Sequence, residues 1–124
     1  MAGTIAADTL THSSAGSLDT QFVVKGSAKV WAKYDAGSTL NDSFNVSSLA
    51  DVGTGQYEPS FTNNMSNANY PAMAQGNNSG FCSYASSETT GENTTSKFRQ
   101  MCRSSSHSAF DATFNRCIVN GDLA

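Results

Sequence analysis

From Gln21 onward, apolar and polar positions alternate with a period near two, interrupted about every ten residues by Gly, Asn or Ser clusters. Ala28, Val30, Ala32 and Tyr34 alternate with Ser27, Lys29, Trp31, Lys33 and Asp35, which predicts a strand with one covered face. Phe22, Val23 and Val24 read as the β-rich approach to it. Phe44, Val46 and Ser48 oppose Ser43, Asn45 and Ser47 on the next strand. Asp51 to Gly55 supplies a turn whose glycines accept positive φ, and Tyr57, Pro59 and Phe61 share one face of the returning strand, so a hairpin is expected. Pro59 donates no ladder hydrogen bond, which predicts either an edge strand or an unpaired amide side there.

Asn63 to Asn69 reads as a loop, Tyr70 to Ala74 as a short strand, Gln75 to Gly80 as a turn and Phe81 to Ser86 as a strand. In Thr94 to Arg103, Phe98, Gln100 and Cys102 alternate against Lys97, Arg99 and Met101. The last strand, Ala109 to Val119, is expected to place Phe110, Ala112, Phe114 and Ile118 on one face, with Arg116 interrupting it. The pattern lacks a long i, i+3, i+4, i+7 run. Six to eight short strands at this spacing predict an all-β fold, an antiparallel β-sandwich or a Greek-key or jelly-roll-like barrel. Residues 1–20 are small and polar without a period and read as an extended N-terminal arm, with residues 21–124 as a single β domain.

Composition narrows the function classes. Only 14% of the 124 residues are charged, against about 25% in ordinary globular chains. Few charges leave strand edges poorly guarded, which favours an oligomer or a larger particle that covers them. A net charge of −3 lacks the basic footprint of a nucleic-acid binder. The N-terminus lacks the basic and apolar regions of a secretory signal, and no window reaches the length of a membrane span, so folding in a reducing cytoplasm is expected. Cys82, Cys102 and Cys117 are widely spaced, without C-x-x-C, and read as buried free thiols rather than a disulfide framework or a zinc site.

Candidate chemistry is sparse. The histidines are His12, in the polar arm, and His107, between Ser106 and Ser108, and neither stands beside a nucleophile elbow. No catalytic residue, metal or cofactor is expected. Trp31, Tyr34, Tyr57 and Tyr70, with Asn63, Asn64, Asn77 and Asn78, are the candidate interface or ligand contacts, as flat apolar faces beside amide groups. Trp31 stands out because it falls on the lysine side of its strand, which implies that this side meets a second sheet, a sister subunit or a ligand.

Lys29, Trp31 and Tyr34 in a K-x-W-x-x-Y phrase, the strand Ser43 to Ser48, the turn Asp51 to Gly55 and the phrase Ala68 to Tyr70 together resemble a module of small structural and tail-fibre-type proteins of marine and cyanobacterial tailed phages. The resemblance implies a non-enzymatic virion surface protein, made in the host cytoplasm. Because the chain has no room for a fibrous shaft, it implies first an oligomeric capsid decoration or cement protein, expected as a homotrimer on the phage major capsid protein. The alternatives are a tail-fibre or head-fibre module for host adsorption, or a lectin-like domain binding a host surface glycan.

Overall fold

In the computed structural model the chain is described at residue 3 and over residues 6–76, 82–86 and 93–124, with the backbone alone at residue 12 and in residues 82–86. The fold is all-β, its sheets antiparallel, with one short helix. Strands β1 (Thr9–His12) and β2 (Gly16–Asp19) form a hairpin, and α1 (Thr20–Gly26) follows. Then come β3 (Ala28–Asp35), β4 (Leu40–Phe44), β5 (Val46–Gly53), β6 (Gln56–Phe61), β7 (Ala72–Gly76), β8 (Cys82–Ser86), β9 (Arg99–Arg103) and β10 (Phe114–Asn120). One four-stranded sheet has the order β4-β3-β10-β7, the other β5-β6-β9-β8.

Both sheets contribute to one core. Val30, Ala32 and Tyr34 of β3 and Cys117 and Val119 of β10 meet Tyr57 and Phe61 of β6 and Phe98. The Tyr34 and Tyr57 rings lie 5.4 Å apart at a tilt, and Phe61 packs on both Tyr70 and Phe98. A polar chain runs through this apolar set. The Tyr34 hydroxyl donates to Gln100 Oε1, Gln100 Nε2 to Asn115 Oδ1 at 2.9 Å, and Asn115 Nδ2 to the Ala112 carbonyl at 3.2 Å. Cys102 Sγ adds a contact to Asn115 Oδ1 at 3.0 Å. Burial pushes the Tyr34 phenol well above its ordinary range, so the proton that makes the first bond stays in place.

Chain reversals explain how the strands change sheet. Asn45 separates β4 from β5 with φ 58, a left-handed conformation that Asn tolerates. Its side chain locks the corner: Nδ2 donates to the Lys29 and Asn63 carbonyls, and Oδ1 accepts from the Asn63 amide at 2.7 Å. The expected β5-β6 hairpin is present, with Gly55 at φ 67. Its amide donates to Asp111 Oδ1 at 2.5 Å and its carbonyl accepts from the Cys102 amide at 2.7 Å. Pro59 lies on an inner strand, in the interval where β6-β9 pairing stops after Tyr57 before a bridge from Ser60 to Lys97.

Four expectations are corrected. The N-terminal arm is a folded hairpin rather than an extended segment, and it continues through residue 26, because Phe22, Val23 and Val24 lie in α1 instead of a strand. Helix α1 is held by tertiary bonds: Lys29 Nζ donates to the Val24 and Ser27 carbonyls, and Asn120 Nδ2 to the Gly26 carbonyl at 2.8 Å. Residues 109–113 are not strand; Phe110 instead bonds back to Cys102. In β10 the covered face is Asn115, Cys117 and Val119, so Phe114 and Ile118 point away from the core.

The outer side of the β5-β6-β9-β8 sheet carries Glu58, buried under Lys97 at 2.6 Å and Arg99 at 2.5 Å. Burial alone would raise the Glu58 carboxyl, but the hydrogen bonds and charges of Lys97 and Arg99 outweigh it and hold it below the usual carboxylate range.

Replacing Gly55 by Ala would set a Cβ 2.6 Å from the Cys102 carbonyl oxygen and 2.7 Å from that of Phe110, on a backbone at positive φ. Gly55→Ala is therefore expected to cost about 2–4 kcal/mol, measured by urea unfolding. Glu58→Gln is expected to cost about 1–2 kcal/mol near neutral pH, a figure discounted for the partial exposure of Lys97 and Arg99. Since the folded pKa is depressed, the stabilisation is present above the unfolded value of about 4.3 and fades as pH falls through the lower folded one. Unfolding curves of wild type and Glu58→Gln should therefore converge as the medium is acidified below about pH 4.

Candidate functional site

The inward set by Val30, Ala32 and Tyr34 forces Lys29, Trp31 and Lys33 of β3 outward, since successive side chains of a strand alternate. Asn115, Cys117 and Val119 do the same for Arg116 and Ile118 of β10. Register then assembles a pattern that spans four strands. Phe44 pairs with Trp31, Trp31 with Ile118, and Ile118 with Met73, a continuous apolar row across the outer side of the β4-β3-β10-β7 sheet. At the usual strand spacing the row is about 14 Å long. All four are exposed: Phe44 52%, Trp31 39%, Ile118 41% and Met73 71%.

The next row is polar. Asp42 pairs with Lys33, Lys33 with Arg116, and Arg116 with Gln75. Lys33 and Arg116 stand directly opposite each other, an arrangement of like charges that destabilises an antiparallel pair. Lys33 Nζ lies 5.2 Å from the ring centre of Phe114, which offers it a cation–π contact. Among the described residues, no carboxylate stands within ion-pair distance of Arg116.

The arm borders the other end of the same face. Lys29 precedes Trp31 on the outward side of β3, and it is buried because α1 lies over it. Phe22 and Val24 of α1 are 60% and 61% exposed, and Leu10 and Leu18 of the hairpin are exposed as well. A surface this apolar is beyond the scattered single side chains that monomers ordinarily leave open.

Of the residues singled out from the sequence, Trp31 is on this surface. Tyr34, Tyr57 and Tyr70 are corrected: they are buried in the core and offer no face to a partner or ligand. Tyr34 and Tyr57 belong to the inter-sheet packing, while the Tyr70 hydroxyl donates to the Thr94 and Lys97 carbonyls at 2.8 and 2.7 Å. Burial raises the Tyr70 phenol to about 12. Asn63 is exposed but engaged in the Asn45 corner, and Asn64 is exposed with its carbonyl accepting from Ala124. Asn77 and Asn78 lie outside the described residues. Phe44, Met73 and Ile118 were missed as contacts. The signal for them is cross-strand register, which a period within one segment does not contain.

Other chemistry-bearing groups are placed as follows. His107 is exposed in a turn at φ 63, its amide bonded to the Ser104 carbonyl at 2.9 Å. Asp111 accepts from Gly55 and from the Tyr57 hydroxyl. Cys102 and Cys117 are buried, and burial pushes the Cys117 thiol up to about 12, where it stays protonated and unreactive near neutral pH. Cys82 lies on β8, where the backbone alone is described. Among the described residues, no three His, Cys, Asp or Glu side chains converge as metal ligands, and no helix is long and apolar enough to cross a membrane.

Comparison of the chain with protein-family models, curated proteins and solved structures yields no match.

If the row serves contact rather than stability, Phe44→Ser and Met73→Ser should each change the unfolding free energy of dilute protein by no more than about 0.5 kcal/mol. Val30→Ala, which hollows the core, should cost about 2 kcal/mol in the same urea titration.

Proposed function

We propose that this chain is a non-enzymatic structural protein of a tailed-phage virion, an oligomeric decoration subunit that adds buried surface to the capsid shell. One observation carries the reading: the chain holds a large share of its bulky apolar side chains outside its own core, on one side of one sheet and on the neighbouring arm. Such a distribution is costly for a free monomer and favourable for a subunit that is covered on assembly. The low charge content and the resemblance of residues 23–70 to phage virion modules support a virion as the particle. Mechanistically, the contribution is area and avidity. An interface of about 1,600 Å² is enough for stable association, and an oligomer that grips several shell subunits gains further from effective concentration.

A second reading draws on Trp31 and Phe44, whose exposed rings lie beside the Asp42, Lys33, Arg116 and Gln75 row. Aromatic faces next to hydrogen-bonding groups suit a sugar, so host adsorption through a fibre module or a lectin-like domain is the competing function.

Purified particles and shells stripped of this chain separate the two. The decoration reading expects the chain in virions at a fixed ratio to the major capsid protein, and saturable co-sedimentation of purified chain with stripped shells. Absence from particles, or binding to host cells that disappears when surface glycans are removed while shells bind none, would overturn it.

A further inference from the structure

We propose that the outer side of the β4-β3-β10-β7 sheet is a self-association surface. A second copy of the chain lies on it across a two-fold axis running along the Phe44, Trp31, Ile118 and Met73 row, and each copy's arm crosses the other's Lys33 and Arg116. The inference rests on the reading that this chain works by surface contact, and it names the surface and its occupant.

A row that crosses the whole sheet in register is self-complementary under a half-turn about its own length. Each apolar side chain then meets its counterpart in the partner, the condition for an isologous contact. Charge selects this axis over the other in-plane choice. A half-turn about an axis parallel to the strands would lay β3 on the partner's β10 and set Lys33 against the partner's Arg116, adding to a like-charge opposition already present within one copy. The axis along the row instead exchanges the two ends of the face. Along β3 the arm joins at Ala28, the row follows at Trp31 and the basic pair at Lys33. The half-turn therefore carries the partner's arm over Lys33 and Arg116; the partner's Lys29, which falls opposite Lys33, has its ammonium capped by the Val24 and Ser27 carbonyls of its own chain.

The arm has the complementary charge. It holds Asp8 and Asp19 against Lys25, a balance of −1, whereas the polar row holds Lys33 and Arg116 against Asp42, a balance of +1. Area points the same way. The row alone offers on the order of 500 Å² of apolar surface, short of the roughly 800 Å² per partner in a stable interface. Apolar groups of the arm, with Phe22 and Val24 exposed, make up the difference. A two-fold pair is thus the unit this face builds, in place of the three-fold ring anticipated from the resemblance.

Trp31 is the single tryptophan of the chain, so its emission reports this face alone. Sedimentation velocity and Trp emission are followed together over about 1–100 µM protein. The expected result is a doubling of mass with a shift of emission to shorter wavelength over the same concentration range. Ile118→Lys and, independently, Met73→Lys should abolish both, with circular dichroism and melting of the monomer unchanged. Arg116→Glu should weaken the pair about tenfold or more.

A mass that stays monomeric throughout overturns the proposal, as does a doubling that leaves Trp31 emission unmoved or that survives Ile118→Lys. Unchanged association in Arg116→Glu overturns the placement of the arm. Shell binding distinguishes the two levels. If the chain is monomeric and Ile118→Lys abolishes binding to stripped shells, the shell covers this face and only the self-association fails. If the pair forms but no particle binds, the virion reading fails and the pairing stands.

Discussion

The buried chain of hydrogen bonds from Tyr34 through Gln100 to Asn115 is the constraint on which the rest of the architecture depends. It joins β3, β9 and β10, and so ties one sheet to the other through the middle of an apolar core. A buried polar group left without its partner costs about 1–3 kcal/mol, so each of these side chains is obliged to point inward. Because a strand has a period of two, that obligation fixes every other residue on it. Tyr34 inward places Lys33 and Trp31 outward; Asn115 inward places Arg116 and Ile118 outward. The exposed row is thus a consequence of how the core satisfies its polar groups. A slip of one residue in β10 would bury Ile118, but it would also bury Arg116 and strand Gln100.

Residue patterns carried the all-β class, the inward set of β3, the inward set of Phe98, Gln100 and Cys102, and the β5-β6 hairpin. These depend on neighbours in sequence. The direction of β10 did not emerge, because Phe110, Ala112, Phe114 and Ile118 make the more apolar set. What decides the matter is a bond from Asn115 to Gln100, fifteen residues away on the opposite sheet, and no periodicity contains it. Three of the four tyrosines and tryptophans marked as contacts went to the core for a related reason. Tyr34, Tyr57 and Tyr70 each find a hydroxyl partner inside the fold, and an aromatic with its polar end satisfied is worth more buried than exposed.

The arm shows tertiary bonds overriding local preference. Phe22, Val23 and Val24 favour a strand by residue type, yet they occupy a helix of seven residues, too short to be stable alone. Its C-terminal carbonyls are taken by Lys29, whose ammonium also suits the negative end of the helix, and by Asn120 from the far end of the chain. The hairpin is fastened to the helix start, where the Thr20 amide and hydroxyl both bond to the Asp8 carbonyl. The arm is therefore anchored at its base while its apolar side chains stay open to solvent.

The two outer faces of the molecule are unequal, and the inequality bears on function. On the β5-β6-β9-β8 side, Glu58 is enclosed by Lys97 and Arg99, so these charges are engaged in one ion-paired cluster within the chain. On the β4-β3-β10-β7 side, Lys33 opposes Arg116 beside an unbroken apolar row. Selection for solubility alone would guard both faces alike, since charge at sheet surfaces and edges suppresses unwanted pairing. A chain with so few charges that engages them in an ion-paired cluster on one face, and on the other sets like charges opposite each other beside an apolar row, has the composition of a subunit whose second face suits something that brings apolar surface and negative charge. The arm, with its exposed apolar side chains and its excess of Asp over Lys, has both.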